Sequence, residues 1–242
     1  MKEHSRWYSD RIQRDIDVVR WGHFGTPVLL FPTAGGDAFE AERFRLIDAL
    51  GPLLSAGRIK VFACDNLAGR TWLDRGCSTE HRTWFQNQFD SFVYHELVPM
   101  IRHDCRSNDI KIVTAGASLG AFEAIAALCR HPDAFRQAIC MSGTYDLENY
   151  TGGWVNPDFY FSSPMHFLPN LQEGQQLNDL RNAFVLLAYG EGRWESPEQT
   201  WRMSEVLGSR GIPNWVEVWG PEWDHDWPTW RAMLPHFLDK FC

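Results

Sequence analysis

Five consecutive residues, Gly116-Ala117-Ser118-Leu119-Gly120, have the types and spacing of a nucleophile turn. A serine between small residues can be lifted off a sheet by a sharp strand-to-helix turn, and the glycines let strand and helix approach closely. Composition alone would yield such a pattern in roughly one chain of this length in ten. The context is more specific. The motif directly follows the apolar, β-branched run 110–115 and opens the alanine-rich stretch 121–128, which is the strand-turn-helix setting it requires. Ser118 is therefore the candidate nucleophile for acyl transfer. The backbone N–H of Leu119, at a helix start, is a candidate oxyanion donor, because a free amide and the helix dipole both favour negative charge there. A second donor is expected from the loop Phe31-Pro32-Thr33-Ala34-Gly35-Gly36, with Ala34 and Gly35 both candidates.

A serine hydroxyl is a weak nucleophile without a base. Nine histidines compete for that role. In a fold that carries this turn the order along the chain is Ser, then Asp or Glu, then His, with the histidine on a loop after the last strand. His225 fits, in Gly220-Pro221-Glu222-Trp223-Asp224-His225-Asp226-Trp227-Pro228. His236 falls inside the following helix, His131 at a helix end where a cation suits the dipole, and His166 in an irregular segment. The orienting acid belongs on the loop after the strand 183–188, within 189–196, where no aspartate occurs. Glu195 is preferred and Glu191 is the alternative, while an acid just before a helix also has a plain dipole-complementing role. The aromatic residues Trp154, Tyr160, Trp194, Trp223 and Trp227 could line a substrate pocket, though large aromatics more often pack a core.

The elements that must position these residues are legible as short apolar runs at 27–31, 59–63, 110–115, 137–141, 183–188 and 215–219. They are continuous rather than alternating, as in strands buried on both faces of a parallel sheet. Between them lie helical patterns over 40–54, 84–104, 120–130, 197–210 and 227–241. Such alternation predicts an α/β architecture, a mostly parallel central sheet with helices on both faces. The segment 15–21 alternates more and reads as an antiparallel edge strand. Residues 150–180, rich in Gly, Asn, Pro and aromatics, read as an irregular loop or small cap over the C-terminal edge of the sheet, where open α/β sheets bind ligands.

The chain has 242 residues with no repeat or linker, so one domain over 1–242 is expected. Its 31 acidic against 23 basic residues give a formal charge of -8, which argues against nucleic-acid and anionic-membrane partners. Six scattered cysteines without a CxxC pair read as reduced, mostly packed thiols. No HExxH or clustered ligand spacing suggests a metal, and no cofactor motif appears. The first residues lack a signal-like apolar stretch, so a cytoplasmic protein with a small-molecule substrate is expected, and homo-oligomerisation stays open.

The elbow around Ser118, the segment Ser142-Gly143-Thr144-Tyr145-Asp146 and the ending His225-Asp226-Trp227-Pro228-Thr229-Trp230 together resemble the putative esterase (esterase D-like) family of the α/β-hydrolase superfamily. The resemblance runs from about residue 18 to the C-terminus. It implies an α/β-hydrolase fold and a cofactor-free serine esterase that cleaves a carboxylic ester through an acyl-enzyme. Family members usually carry an aspartate where this chain offers Glu191 and Glu195, with Asp146 a further candidate acid. An acyltransferase using the same triad, or a silent binding protein of the same fold, is compatible with the same residues.

Overall fold

A computed structural model describes residues 1–242. Eight strands form one sheet: β1 Lys2–Ser9, β2 Arg14–Trp21, β3 Thr26–Phe31, β4 Ile59–Cys64, β5 Ile112–Ala117, β6 Phe135–Met141, β7 Phe184–Gly190 and β8 Asn214–Trp219. Their order is β1-β2-β4-β3-β5-β6-β7-β8, antiparallel across β1, β2 and β4 and parallel from β4 through β8. Four longer helices pack on it: α1 Thr79–Phe92, α2 Leu119–Arg130, α3 Pro197–Ser209 and α4 Trp227–Phe241.

The apolar runs become strands because both faces are covered. Every residue of β4 and β5 is buried. Along β3, Leu29 and Phe31 point into one apolar cluster with Phe89 of α1, Ala121 of α2 and Met203 of α3. Val28 and Leu30 point into the opposite cluster with Trp230, Met233 and Phe237 of α4. The period-2 alternation of a strand thus feeds two cores.

Several expectations need correction. The strand 15–21 is antiparallel but not at the edge, because β1 pairs along its whole length, from Lys2 opposite Trp21 to Ser9 opposite Arg14. β1 was not legible because its largely exposed residues show no apolar alternation, and its charges protect a free sheet edge. The pattern over 40–54 is three short turns, Glu40–Arg43, Leu46–Ala49 and Gly51–Ser55, interrupted at Arg45, whose φ is +62°. The pattern over 84–104 starts earlier, where Ser78 accepts the His81 N–H at 3.2 Å as an N-cap. It then passes through a π-helical turn, Val93–Leu97, before a final helix Val98–Asp104. Pro99, which has no N–H to donate, stands just beyond that turn.

A helix at Leu67–Leu73, not anticipated, begins at Asn66, whose side chain accepts the Gly69 N–H at 2.8 Å. The segment 150–180 contains short helices, among them Pro157–Ser162, which is tied to α1 by hydrogen bonds of Asn87 with Asp158 and Ser162. Its later part, with Phe167, Leu168, Leu177 and Leu180, belongs to the core. No helix is long and apolar enough to cross a membrane.

Candidate active site

Ser118 follows β5 and precedes α2 with φ +57° and ψ -124°, a conformation strained for any residue but glycine. Three backbone hydrogen bonds hold it there: its N–H donates to Met141 O at 3.0 Å, and its carbonyl accepts from Ala121 and Thr144, each at 3.1 Å. Both motif glycines are required by contact. A Cβ on Gly116 would lie 2.1 Å from Gly120 O, and one on Gly120 would lie 2.5 Å from Phe31 O. The elbow is therefore pressed against the end of β3. Ser118 Oγ makes no capping hydrogen bond to its own helix and stays available.

The neighbouring loop after β3 is a turn closed by Gly36 N–H donating to Thr33 O at 3.0 Å. Glu40 pins its start, accepting from Thr33 N–H and Thr33 Oγ1, both at 2.7 Å. Burial pushes the Glu40 carboxyl up, against the downward pull of those two bonds. The amides of Ala34 and Gly35, the central residues of the turn, are left without an internal acceptor. Ala34 packs against the same small cluster as Leu119. The Leu119 N–H, in the first turn of α2, has no intrahelical acceptor. The candidate oxyanion donors Leu119, Ala34 and Gly35 thus stand at one place on the sheet edge.

His225 lies on the loop between β8 and α4, and Glu195 on the loop between β7 and α3. Glu195 Oε2 is 3.7 Å from His225 Nδ1, and their side chains are 2 % and 22 % exposed. That separation exceeds a direct hydrogen bond. The other carboxylate oxygen accepts from Ser142 Oγ at 2.6 Å and from Gly190 N–H at 3.3 Å. Ser142 begins the segment after β6 and accepts the Trp230 Nε1–H at 3.0 Å.

The two loops are knitted together. His225 N–H donates to Arg193 O and Gly192 N–H to Trp223 O, each at 3.0 Å. The Arg193 guanidinium hydrogen-bonds Asp224 at 2.6 and 2.9 Å and thereby holds its carboxyl below the usual range. Glycine at 190 is obligatory, since a Cβ there would lie 2.0 Å from Trp223 O.

The remaining candidates are engaged elsewhere or open. Glu191 is exposed, and its backbone N–H donates to Gly220 O. Asp146 pairs with Arg202 at 2.9 Å. His131 bonds Asp90 and stacks on Tyr94, His166 is held between Ser163 and Glu148, and His236 stands near Glu217. Among the aromatics, Trp227 stacks on Phe44 with centroids 4.5 Å apart, and Trp223 packs on the Trp219 edge. Trp227 and Trp230 also border a narrow apolar slot with Thr33, Ala117 and Met141. Trp194 is 73 % exposed at φ +66°, under the Arg193 guanidinium, and Trp154 is also exposed. Tyr160 lies at a separate surface with Asn170, away from Ser118. Ser142 and Trp230 are the polar partners that sequence reasoning passed over. Both stood within quoted motifs, but the bond between them spans 88 positions.

Strand order, crossover helices and a strained serine elbow followed by an acid and a histidine at successive strand ends define an α/β-hydrolase. The family described as Putative esterase matches residues 76–240, so the chain belongs to that family and is a carboxylic ester hydrolase. No curated protein sequence matches the chain. Among solved structures, a ferulic acid esterase superposes with a TM-score of 0.76 at 17% identity, covering 100% of this chain and 99% of that one. An S-formylglutathione hydrolase from Agrobacterium tumefaciens gives 0.75 at 12% identity over 99% and 94%. FphF, a fluorophosphonate-binding serine hydrolase of Staphylococcus aureus, gives 0.65 at 14% identity over 99% and 97%. At such identities these likenesses speak to the fold.

Proposed function

We propose that the chain hydrolyses a small carboxylic ester through an acyl-enzyme on Ser118, with His225 as base and Glu195 as the orienting acid. The observation that carries this reading is the Glu195 carboxylate. It is almost wholly buried, with one oxygen saturated by donors and the other turned to His225 Nδ1. In this mechanism Glu195 keeps the proton of neutral His225 on Nδ1, so Nε2 is free to accept the Ser118 proton. Ser118 Oγ attacks the ester carbonyl, and the tetrahedral oxyanion is held by the Leu119 N–H and by that of Ala34 or Gly35. The imidazolium then protonates the leaving alcohol, and water activated by the same imidazole releases the acid.

The chain works as one domain, with the start of segment 150–180 flanking the site. Trp194 and Trp154, being exposed, are the aromatic groups open to substrate. Trp227 and Trp223 act as walls fixed by their own packing. The likeness to a ferulic acid esterase is compatible with an aromatic acyl group at such a surface.

Initial rates on p-nitrophenyl acetate and p-nitrophenyl butyrate test the reading. Ser118→Ala and His225→Ala should each reduce kcat by a factor on the order of 10⁴ or more, because the members act as a unit. A wild-type rate in either folded variant would overturn it.

A further inference from the structure

Ser142 stands at the end of β6 in a backbone conformation that strand packing alone does not require. It is a non-glycine residue at φ +47°, it is 3 % exposed, and its N–H donates to Ala188 O at 2.7 Å, which clamps it between the ends of β6 and β7. Its hydroxyl contacts both Trp230 Nε1, at 3.0 Å, and Glu195 Oε1, at 2.6 Å. An indole N–H only donates, so Ser142 Oγ must be the acceptor in that bond. Its single proton is then left for Glu195. The direction of the chain is fixed: Trp230 to Ser142 to Glu195. With Gly190 N–H also donating to the same oxygen, Oε1 receives two donors, which fix the rotation of the carboxylate. The second oxygen, Oε2, is the one that faces His225. Trp230 meets the assembly twice, since its ring also packs edge-on against the His225 ring, centroids 5.3 Å apart at 80°.

We propose that Ser142 and Trp230 are positioning residues that orient the Glu195 carboxylate from the side opposite His225, so that the strained Ser142 backbone serves the triad rather than the fold. The proposal rests on the assignment of Ser118, His225 and Glu195 made above. Neither residue donates to or accepts from the substrate. Glutamate is one methylene longer than aspartate and has one more torsion to hold, and the donor pair on Oε1 supplies that constraint.

The experiment compares Ser142→Gly and Trp230→Phe with the wild type in p-nitrophenyl acetate hydrolysis as a function of pH. Glycine accepts φ +47° without strain, and phenylalanine keeps the packing against His225 while losing the N–H. Ser142→Gly should lower kcat by about ten- to hundredfold, the size expected for one hydrogen bond to a charged group, with KM within about twofold. Its acid limb should move to higher pH, because a carboxylate deprived of a donor binds a proton, or strengthens imidazolium, more readily. Trp230→Phe should shift the limb the same way, and the double variant should be no slower than Ser142→Gly alone, since both act through one oxygen.

A purely structural role would instead give lower melting temperatures with an unmoved pH profile and additive losses, and that result overturns the proposal. Full activity and profile in Ser142→Gly, with Ser118→Ala and His225→Ala inactive, would reject the relay and leave the triad standing. An active Ser118→Ala would remove both.

Discussion

Glu195 and Glu191 are four positions apart on one loop and chemically identical, yet their surroundings differ. Glu195 turns inward beneath His225 and Ser142, whereas Glu191 stays in solvent. Glu195→Gln should therefore reduce kcat/KM by about 10² to 10⁴-fold, since an amide can present its N–H to Nδ1 and select the wrong imidazole tautomer. Glu191→Gln should change it less than about twofold. Steady-state kinetics of the two variants check this, and equal indifference would move the acid elsewhere. The candidates Ser118 and His225 stand out in the sequence because each is marked by its neighbours: a glycine-bracketed turn between a strand and a helix, and a loop after the last strand. The sequence prefers Glu195 to Glu191, but the contact that turns Glu195 toward His225 was not legible. It depends on the two loops folding face to face, which requires Gly190 to lie against Trp223 O. Ser142 was hidden for a similar reason, as its partner Trp230 belongs to the far end of the chain.

α2 both offers the Leu119 amide and carries Glu123, a buried carboxyl that no step of the mechanism uses. Glu123 accepts from Gln86 Nε2 at 2.7 Å, Gln86 in turn accepts from Trp72 Nε1 at 2.8 Å, and Glu123 Oε1 has no partner. Burial pushes its pKa up to about 8, against the pull of the Gln86 bond and with a small upward push from the Asp90 charge. The unfolded chain would release this proton near 4.5. Between those values the folded state binds more protons than the unfolded one, so Glu123 makes stability fall as pH rises, by at most about 1.4 kcal/mol per pH unit. Above about 8 its contribution is flat. Glu123→Gln cannot ionise, so its stability relative to wild type should improve from pH 5 to pH 8 in urea unfolding. An unchanged difference across that range would refute a buried, neutral Glu123. Elements of this kind were largely readable from apolar runs, since burial on both faces leaves a strong pattern. β1 and the broken turns at 40–55 were not, because pairing and a positive φ at Arg45 decide them.

Across the whole molecule, the C-terminal edge of the parallel strands gathers the residues of the proposed mechanism: the turn after β3, the elbow after β5, Ser142 after β6, Glu195 after β7 and His225 after β8. A broad cleft of about 1120 Å³ lies instead at the opposite edge, among Thr26, Lys60 and Arg136. Size alone therefore does not mark the reactive centre. Strain is shared more widely, at Gln13, Arg45 and Arg106 as well as at Ser118, Ser142 and Trp194, but only Ser118 and Ser142 carry it at the ends of adjacent parallel strands, with their N–H groups bonded to Met141 O and Ala188 O. This arrangement makes one serine unlike every other in the chain. Treating the folded protein with a fluorophosphonate and mapping the adduct by mass spectrometry tests that directly, without any assumption about the ester. The account predicts a single adduct on Ser118 that disappears in His225→Ala. An adduct on another serine, or none on the folded wild-type protein, would contradict it.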